Sequence, residues 1–503
     1  MGFFKKHTLR TRDNQRTRAA ELTLRESIYP LCLVTILFFL WGFSYGLIDT
    51  LNKHFQETLG ITRARSSGLQ AAYFGAYPLA SLGHANWLLR HYGYKATFIW
   101  GLSLYGIGSL IAWPCLVYRS FGGFCAAIFV IGNGLGSLET AANPYLAVCG
   151  PPKYSEIRIN VAQAFNGIGT VVAPVLGSYV FFTHVGTGEE AVNALQNVQW
   201  TYLAIACFVF CLAAVYYFSS IPEITDADMA FQAESTHAGT DVEPFHKQYR
   251  LFHATFAQFC YTGAQVAIAG SFINYVTETR LNRTGDGPTS SADAARFLAG
   301  AQGTFTMGRF IGSASMKFVK PRWVFFVFMS MCIVFLIPAI TERGNTGMSM
   351  LYFVLFFESI IFPTIVALGM RGLGKYSKRG SGYIIAGVAG GAVVPPLLFV
   401  AADSQGAVDF ATGHSPTATA MAVPLAFFIA AWTYPVCVNF VPAYRDVADR
   451  FSTAEIGITG ARAGDAENQN QTGSSGVSGD VVLAKDEAAT HTETVDRDGE
   501  THA

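Results

Sequence analysis

Charge is what this chain lacks. Only 14% of its 503 residues are Asp, Glu, Lys or Arg, against roughly 25% in a soluble domain. With 51% hydrophobic residues, that deficit argues against a water-soluble globule and for a membrane protein. The nine cysteines include no C-x-x-C pair, so neither a zinc site nor a disulfide framework is indicated. They fall in apolar segments and read as buried hydrophobes. Walker A, G-x-S-x-G, H-E-x-x-H and G-x-G-x-x-G patterns are missing as well. Nothing therefore points to an ATP motor, a serine hydrolase, a zinc protease or a dinucleotide enzyme. No enzyme activity, cofactor, metal or nucleic-acid partner is expected.

A cleavable leader is not expected either. Lys5, Lys6, Arg10, Arg12, Arg16, Arg18 and Arg25 precede the first apolar run, and that run is too long for a signal-peptide core. It reads as a cytosolic basic tail before a signal anchor. Net charge is zero overall, but this averages the basic start with an acidic end. From Ser452 onward ten acidic residues face three basic ones, which reads as solvated disorder.

What is present is a series of apolar segments near 30–52, 66–89, 95–116, 121–149, 159–184 and 198–219. A second series follows near 249–278, 293–315, 322–341, 348–371, 380–402 and 417–442. Each suits a spanning helix. The expected class is an all-α membrane protein of 12 transmembrane helices in two six-helix bundles. Expected domains are a basic tail (1–28), an N-terminal bundle (29–220), a polar cytosolic linker (221–248), a C-terminal bundle (249–442) and a disordered acidic tail (443–503). With the N-terminus inside, the inner loops hold more Lys and Arg than the outer ones, so both termini are expected in the cytosol. The sequon Asn282-Arg-Thr284 then falls in an outer loop as a candidate glycosylation site. An integral multi-pass protein of the plasma membrane, monomeric in the lipid bilayer, is the expectation.

The two series repeat each other. Glu139-Thr-Ala-Ala-Asn-Pro144 in the fourth segment matches Glu358-Ser-Ile-Ile-Phe-Pro363 in the tenth, and GTVVAPVL matches GAVVPPLL in the fifth and eleventh. Parallel six-helix repeats about an axis along the membrane normal describe a secondary transporter that binds substrate near the midplane.

Two acids stand out inside apolar runs. Asp49 ends the first segment and Glu139 lies in the middle of the fourth. A carboxylate at the bilayer centre costs about 2.5–3.5 kcal/mol on insertion scales, so the default reading is proton relay or coupling. Trp41 and Tyr45 recur with Asp49 every four residues on one face. Asn143 follows Glu139 at i+4. Asn160, Gln163 and Asn166 form a stripe on the fifth segment, and Gln258, Tyr261 and Gln265 another on the seventh. These amides and phenols suit a polyhydroxylated ligand, because each hydroxyl both donates and accepts. Any single amide may equally bond a neighbouring helix. Arg309 is open between snorkelling to the interface and gating, and Glu358 between a second-half counterpart of Glu139 and a counter-charge to Arg309.

FFLWGFSYGLID (38–49), GLGSLETAANPY (134–145), RINVAQAF (158–165), FCYTGAQVA (259–267), GRFIGS (308–313) and FPTIVALGMRGLG (362–374) carry a resemblance. Together they resemble the fucose permease branch of the major facilitator superfamily, over about 410 residues. The resemblance implies proton-coupled uptake of a monosaccharide of the L-fucose, galactose or glucose type by alternating access. It implies that Asp49 titrates the proton, that Glu139 couples and contacts sugar, and that Gln163 contacts the ligand. Ile48 departs from the bacterial fucose carrier, which has asparagine there. The sequon and the polar tails point to a eukaryotic, fungal source. Alternatives left open are a carrier for another polar metabolite, importing or exporting, and a transporter-like nutrient sensor signalling through its tails.

Overall fold

The computed structural model describes residues 24–149, 155–181, 189–224, 244–281, 287–316, 318–371, 373 and 376–450. The basic tail, most of the expected linker, the sequon at Asn282 and the acidic tail beyond residue 450 lie outside the described residues. Helix dominates, and no strand is found among the described residues beyond two isolated bridges.

Among the described residues nine helical stretches are long and apolar enough to cross a membrane. One of them, Arg63–Val117, runs for 55 residues, whereas about 20 suffice for a crossing. Gly93 breaks it at φ +86° and ψ −173°, so it holds two crossings. Two further long helices, Tyr249–Thr279 and Ser291–Ser315, are more polar. With them the crossings number twelve.

In chain order, α1 is Leu24–Leu59. α2 starts at Arg63 and passes through a π-helical turn at Leu79–His84, and α3 leads from Gly93 to Val117. α4 is Phe121–Val148, α5 Ser155–Leu176 and α6 Glu189–Phe218. In the second half α7 is Tyr249–Thr279, α8 Ser291–Ser315 and α9 Pro321–Thr341. α10 is interrupted, Gly344–Glu358 and then Ile361–Met370. α11 is Ser377–Ala386 and Gly390–Asp403 around a 3-10 turn. α12 is Pro416–Ala420 and Ala422–Phe440. Segments 66–89 and 95–116, expected as separate helices, meet here at Gly93 with almost no loop.

That short connection has a local cause. The Glu223 carboxylate accepts from Tyr94 N at 2.7 Å and Lys95 N at 2.8 Å, capping the fresh start of α3 with negative charge, as a helix N-terminus favours. Burial pushes the Glu223 carboxyl up, and the two N–H groups, Lys378 and Lys95 draw it back. A Cβ on residue 93 would sit 2.5 Å from Glu223 Oε2, so the turn needs glycine for space as well as for its positive φ.

Within each half the helices cross through glycine. α1 lies along α5 and α7 along α11. A Cβ at Gly42 would fall 2.0 Å from Asn166 O, and one at Gly390 1.8 Å from Phe259 O. Contacts this close let backbones touch in a medium where hydrophobicity does not drive helices together.

α13, Pro442–Arg450, departs from expectation, since residues from 443 onward read as disordered. The reason is anchorage. Tyr444 packs on Tyr249 and His253, its hydroxyl lies 3.2 Å from His253 Nδ1, and Arg250 Nη1 donates to Ala443 O at 3.1 Å.

Candidate functional site

Where the halves meet, α5 packs on α8 and α2 on α11, and α1 touches α7. A central cavity in this seam is lined by Trp41, Tyr45, Asn166, Gln265, Phe305 and Arg309, among others. Its volume is about 30 Å³, room for a few waters. A smaller void beside it is lined by Trp41, Leu138 and Glu139. Trp41 separates the two. Its indole donates to Tyr77 Oη at 2.9 Å and its ring lies 5.5 Å from that of Phe362 across the seam.

Both ends of the seam are shut. At one end Arg63 forms ion pairs with Glu278 at 2.9 Å and Asp403 at 3.2 Å. Below them Lys53 Nζ donates to Asn274 Oδ1 at 3.0 Å and Asn52 Nδ2 to Gly270 O at 3.3 Å. At the other end Lys378 lies 5.9 Å from the Tyr94 ring centroid, and Gly382 approaches Ser81 O so closely that a Cβ would stand 2.8 Å away. The molecule is closed around a collapsed centre.

Asp49 is 1% exposed, and its carboxyl meets no cation and no donor in close hydrogen-bond geometry. Gln70 and Tyr45 flank it, and a Cβ on Gly270 of α7 would come within 3.3 Å of its Oδ1. The first-half acid therefore packs directly against second-half backbone. Glu139 is 4% exposed, and its carboxyl likewise meets no cation and no donor in close hydrogen-bond geometry. Tyr77 and Asn143 flank it, and Asn143 Nδ2 reaches only the Glu139 backbone carbonyl, at 3.4 Å. Burying an ionised carboxylate without a counter-ion costs several kcal/mol.

Arg309 lies within the seam. It is 6% exposed and does not snorkel. Its Nη1 donates to Asn166 Oδ1 at 2.8 Å and to the Gln163 carbonyl, and its Nε to Ser359 O at 3.2 Å. The guanidinium thus ties α8 to α5 across the seam. It also does not pair with Glu358: it takes the carbonyl of the next residue. Glu358 is 1% exposed with an unpartnered Oε1, and its own carbonyl accepts from Tyr261 Oη at 2.7 Å.

Of the residues read from sequence, the central cavity gathers Trp41, Tyr45, Asn166, Gln265 and Arg309. Gln163 and Gln258 are buried nearby, and Gln258 Nε2 donates to Thr262 within its own helix at 3.1 Å. The side chain of Asn160 lies outside the described residues. Sequence reading missed what α2 brings to the site. Gln70, Tyr73 and Tyr77 are fully buried there and surround both acids. The polar ring of Arg63, Glu278 and Asp403 was also missed.

A family model described as Major Facilitator Superfamily matches residues 34–396. The chain is 31% identical over 382 residues to a glucose/galactose transporter of Brucella abortus biovar 1, covering 75% of this chain and 89% of that protein. It is 29% identical over 411 residues to an L-fucose-proton symporter of Escherichia coli strain K12, covering 78% and 90%. Among solved structures, the transporter FucP in its outward conformation superposes with a TM-score of 0.62 at 28% identity, covering 82% of this chain and 98% of FucP. The proton:xylose symporter XylE, at 13% identity and a TM-score of 0.60, shows the shared fold alone.

Proposed function

This chain belongs to the Major Facilitator Superfamily, and from that premise we propose that it takes up a monosaccharide of the L-fucose, galactose or glucose type together with protons. One observation carries the coupling. Asp49, on the first half, is buried without a counter-ion against Gly270 of the second half. The halves can close there cheaply only when that carboxyl carries a proton, because an ionised one would be desolvated with no cation beside it. Proton binding thus licenses closure.

The cycle follows. With the Arg63 end open, sugar enters between the halves and Asp49 takes a proton. Closure brings Asp49 onto Gly270 and Arg309 onto Asn166. Opening at the Lys378 end then hydrates the centre, and proton and sugar leave. Trp41 and Tyr45 offer aromatic faces to a sugar ring, and Asn143, Gln163, Asn166, Gln258, Tyr261 and Gln265 offer amide and phenol groups to its hydroxyls. Glu139 assists coupling beside Trp41, and Arg309 and Glu358 belong to the gate. We place the Arg63 end outside, both termini in the cytosol and the protein as a monomer in the plasma membrane, on the Lys and Arg excess of the opposite loops.

The test is uptake of radiolabelled L-fucose, D-galactose and D-glucose into proteoliposomes, with and without a protonophore. Accumulation of one sugar that the protonophore abolishes is the expected result. Uptake of all three that ignores the protonophore, or of none, overturns the reading.

A further inference from the structure

Glu358 has no role in the cycle beyond its place at the gate, yet its surroundings are those of the two coupling acids. A carboxylate that merely holds a transporter shut looks like Glu278. That group is 6% exposed and takes Arg63 Nη2 at 2.9 Å, Ser415 Oγ at 3.1 Å, Thr417 N at 3.0 Å and Thr417 Oγ1 at 2.7 Å. Every lone pair of consequence meets a donor, so the ion is stable in place. Glu358 is buried more deeply, at 1%, and its Oε1 meets no donor.

The groups that face it explain why. From α7 comes Tyr261, whose hydroxyl is spent on the Glu358 backbone carbonyl at 2.7 Å. From α1 comes the Tyr45 ring, which also reaches Asp49, and from α9 the Cys332 thiol. From α8 comes Arg309, whose Nε goes to Ser359 O and whose Nη1 goes to α5. In this closed geometry Oε1 of Glu358 meets no donor, and the Tyr45 hydroxyl beside it is itself unpartnered. The helix also ends at Glu358 and resumes at Ile361, so the acid sits at a break, where backbone can re-aim a side chain between states.

We propose that Glu358 carries a proton as Asp49 does, so that the carrier takes one proton on Asp49 of the first half and another on Glu358 of the second for each sugar moved. In the open states water reaches the seam and the carboxylate is hydrated. Closure removes that water, and Glu358 enters the closed state as the neutral acid. It takes its proton from the side it last faced and loses it to the other. Tyr45 lies between Asp49 and Glu358, which places both protons around one side chain of the cavity. This rests on the symport reading above.

Two measurements test it. With membrane potential clamped to zero and a pH difference of one unit, two protons per sugar give about 100-fold accumulation and one proton about 10-fold. Wild-type protein is expected near the first value with whichever of the three sugars it carries, and Glu358→Gln near the second. A wild-type value near 10-fold, or an unchanged ratio in Glu358→Gln, overturns the proposal. Infrared spectroscopy of the sugar-free protein reads the carbonyl stretch of neutral carboxylic acids directly. Glu358→Gln is expected to remove one such band, and Glu358→Asp to restore it at a shifted position. If no tested sugar moves but that band is present and titrates, the symport reading fails and the proton site stands. A spectrum identical in wild type and Glu358→Gln overturns the proton site whatever is transported.

Discussion

Arg309 Nη1 and Asn166 Oδ1 stand 2.8 Å apart, one on α8 and the other on α5. The pair spans the seam between halves that must separate during transport. Asn166 is itself tied to α1, its Nδ2 donating to Phe38 O at 3.3 Å, so the arginine is latched to the first half through a fixed acceptor. A buried cation satisfied by one amide oxygen and two carbonyls, with no carboxylate, is held by geometry rather than by charge pairing. Such a contact can break without leaving a stranded anion.

Replacing Arg309 with lysine keeps the charge and loses the fork. A single ammonium cannot serve acceptors on α5 and α10 together. Each hydrogen bond from a charged donor contributes about 1.5–3 kcal/mol. Losing one or more from the closed state should lower uptake by at least about tenfold. Uptake by Arg309→Lys within twofold of wild type, at equal amounts of protein in the membrane, rejects the latch.

The glycine crossings give a paired prediction. Alanine at Gly42 must displace the Asn166 carbonyl from 2.0 Å, and alanine at Gly390 the Phe259 carbonyl from 1.8 Å, whereas a Cβ at Gly122 meets nothing within 4 Å. Overpacking of this kind costs about 1–3 kcal/mol. Gly42→Ala and Gly390→Ala should lower the melting temperature in detergent, and Gly122→Ala should leave it unchanged. Equal effects at all three positions would mean that these crossings have room to relax.

Much of this was legible in the chain. Asp49 and Glu139 announced themselves because a charge in an apolar run is costly wherever the helix packs, and Trp41, Tyr45 and Asp49 shared a face by simple periodicity. The repeat at Glu139 and Glu358 gave the two halves. The α2 tyrosines were invisible because Tyr73 and Tyr77 look like ordinary aromatic filling until Trp41 and Glu139 are set beside them. Arg309 stayed ambiguous for a similar reason. Snorkelling and bridging differ only in what lies opposite, and its acceptors Asn166 and Ser359 are 143 and 50 residues away. The turn at Gly93 depended on Glu223, which is distant in sequence and close in space.

At the Arg63 end, Glu278→Gln removes the charge that gathers Arg63, Ser415 and Thr417. Arg63 keeps Asp403, so the latch is weakened rather than destroyed. The closed state should lose stability at this end, and the population should shift toward opening there. A cysteine placed at Asn274, which is fully buried below the ion pairs, is the reporter. Its labelling by a membrane-impermeant maleimide from outside should rise at least about tenfold in Glu278→Gln. Unchanged labelling would show that this end stays shut without the Glu278 charge.

Asp49→Asn tests the coupling itself. Asparagine has nearly the shape of the protonated acid, so the pocket between Gln70, Tyr45 and Gly270 should close on it as it closes on neutral Asp49. What the variant cannot do is regain a negative charge when the seam is wet, and so it cannot make closure conditional on a proton. The carrier should then shuttle with sugar alone at that site. Exchange of labelled for unlabelled sugar across the membrane should persist within a few-fold of wild type, while accumulation driven through Asp49 is lost. Proton-driven accumulation at the wild-type level would remove Asp49 from the coupling path. Loss of both activities in normally inserted protein would instead make Asp49 a direct sugar ligand or a packing group, because a neutral mimic would then have failed to close the seam.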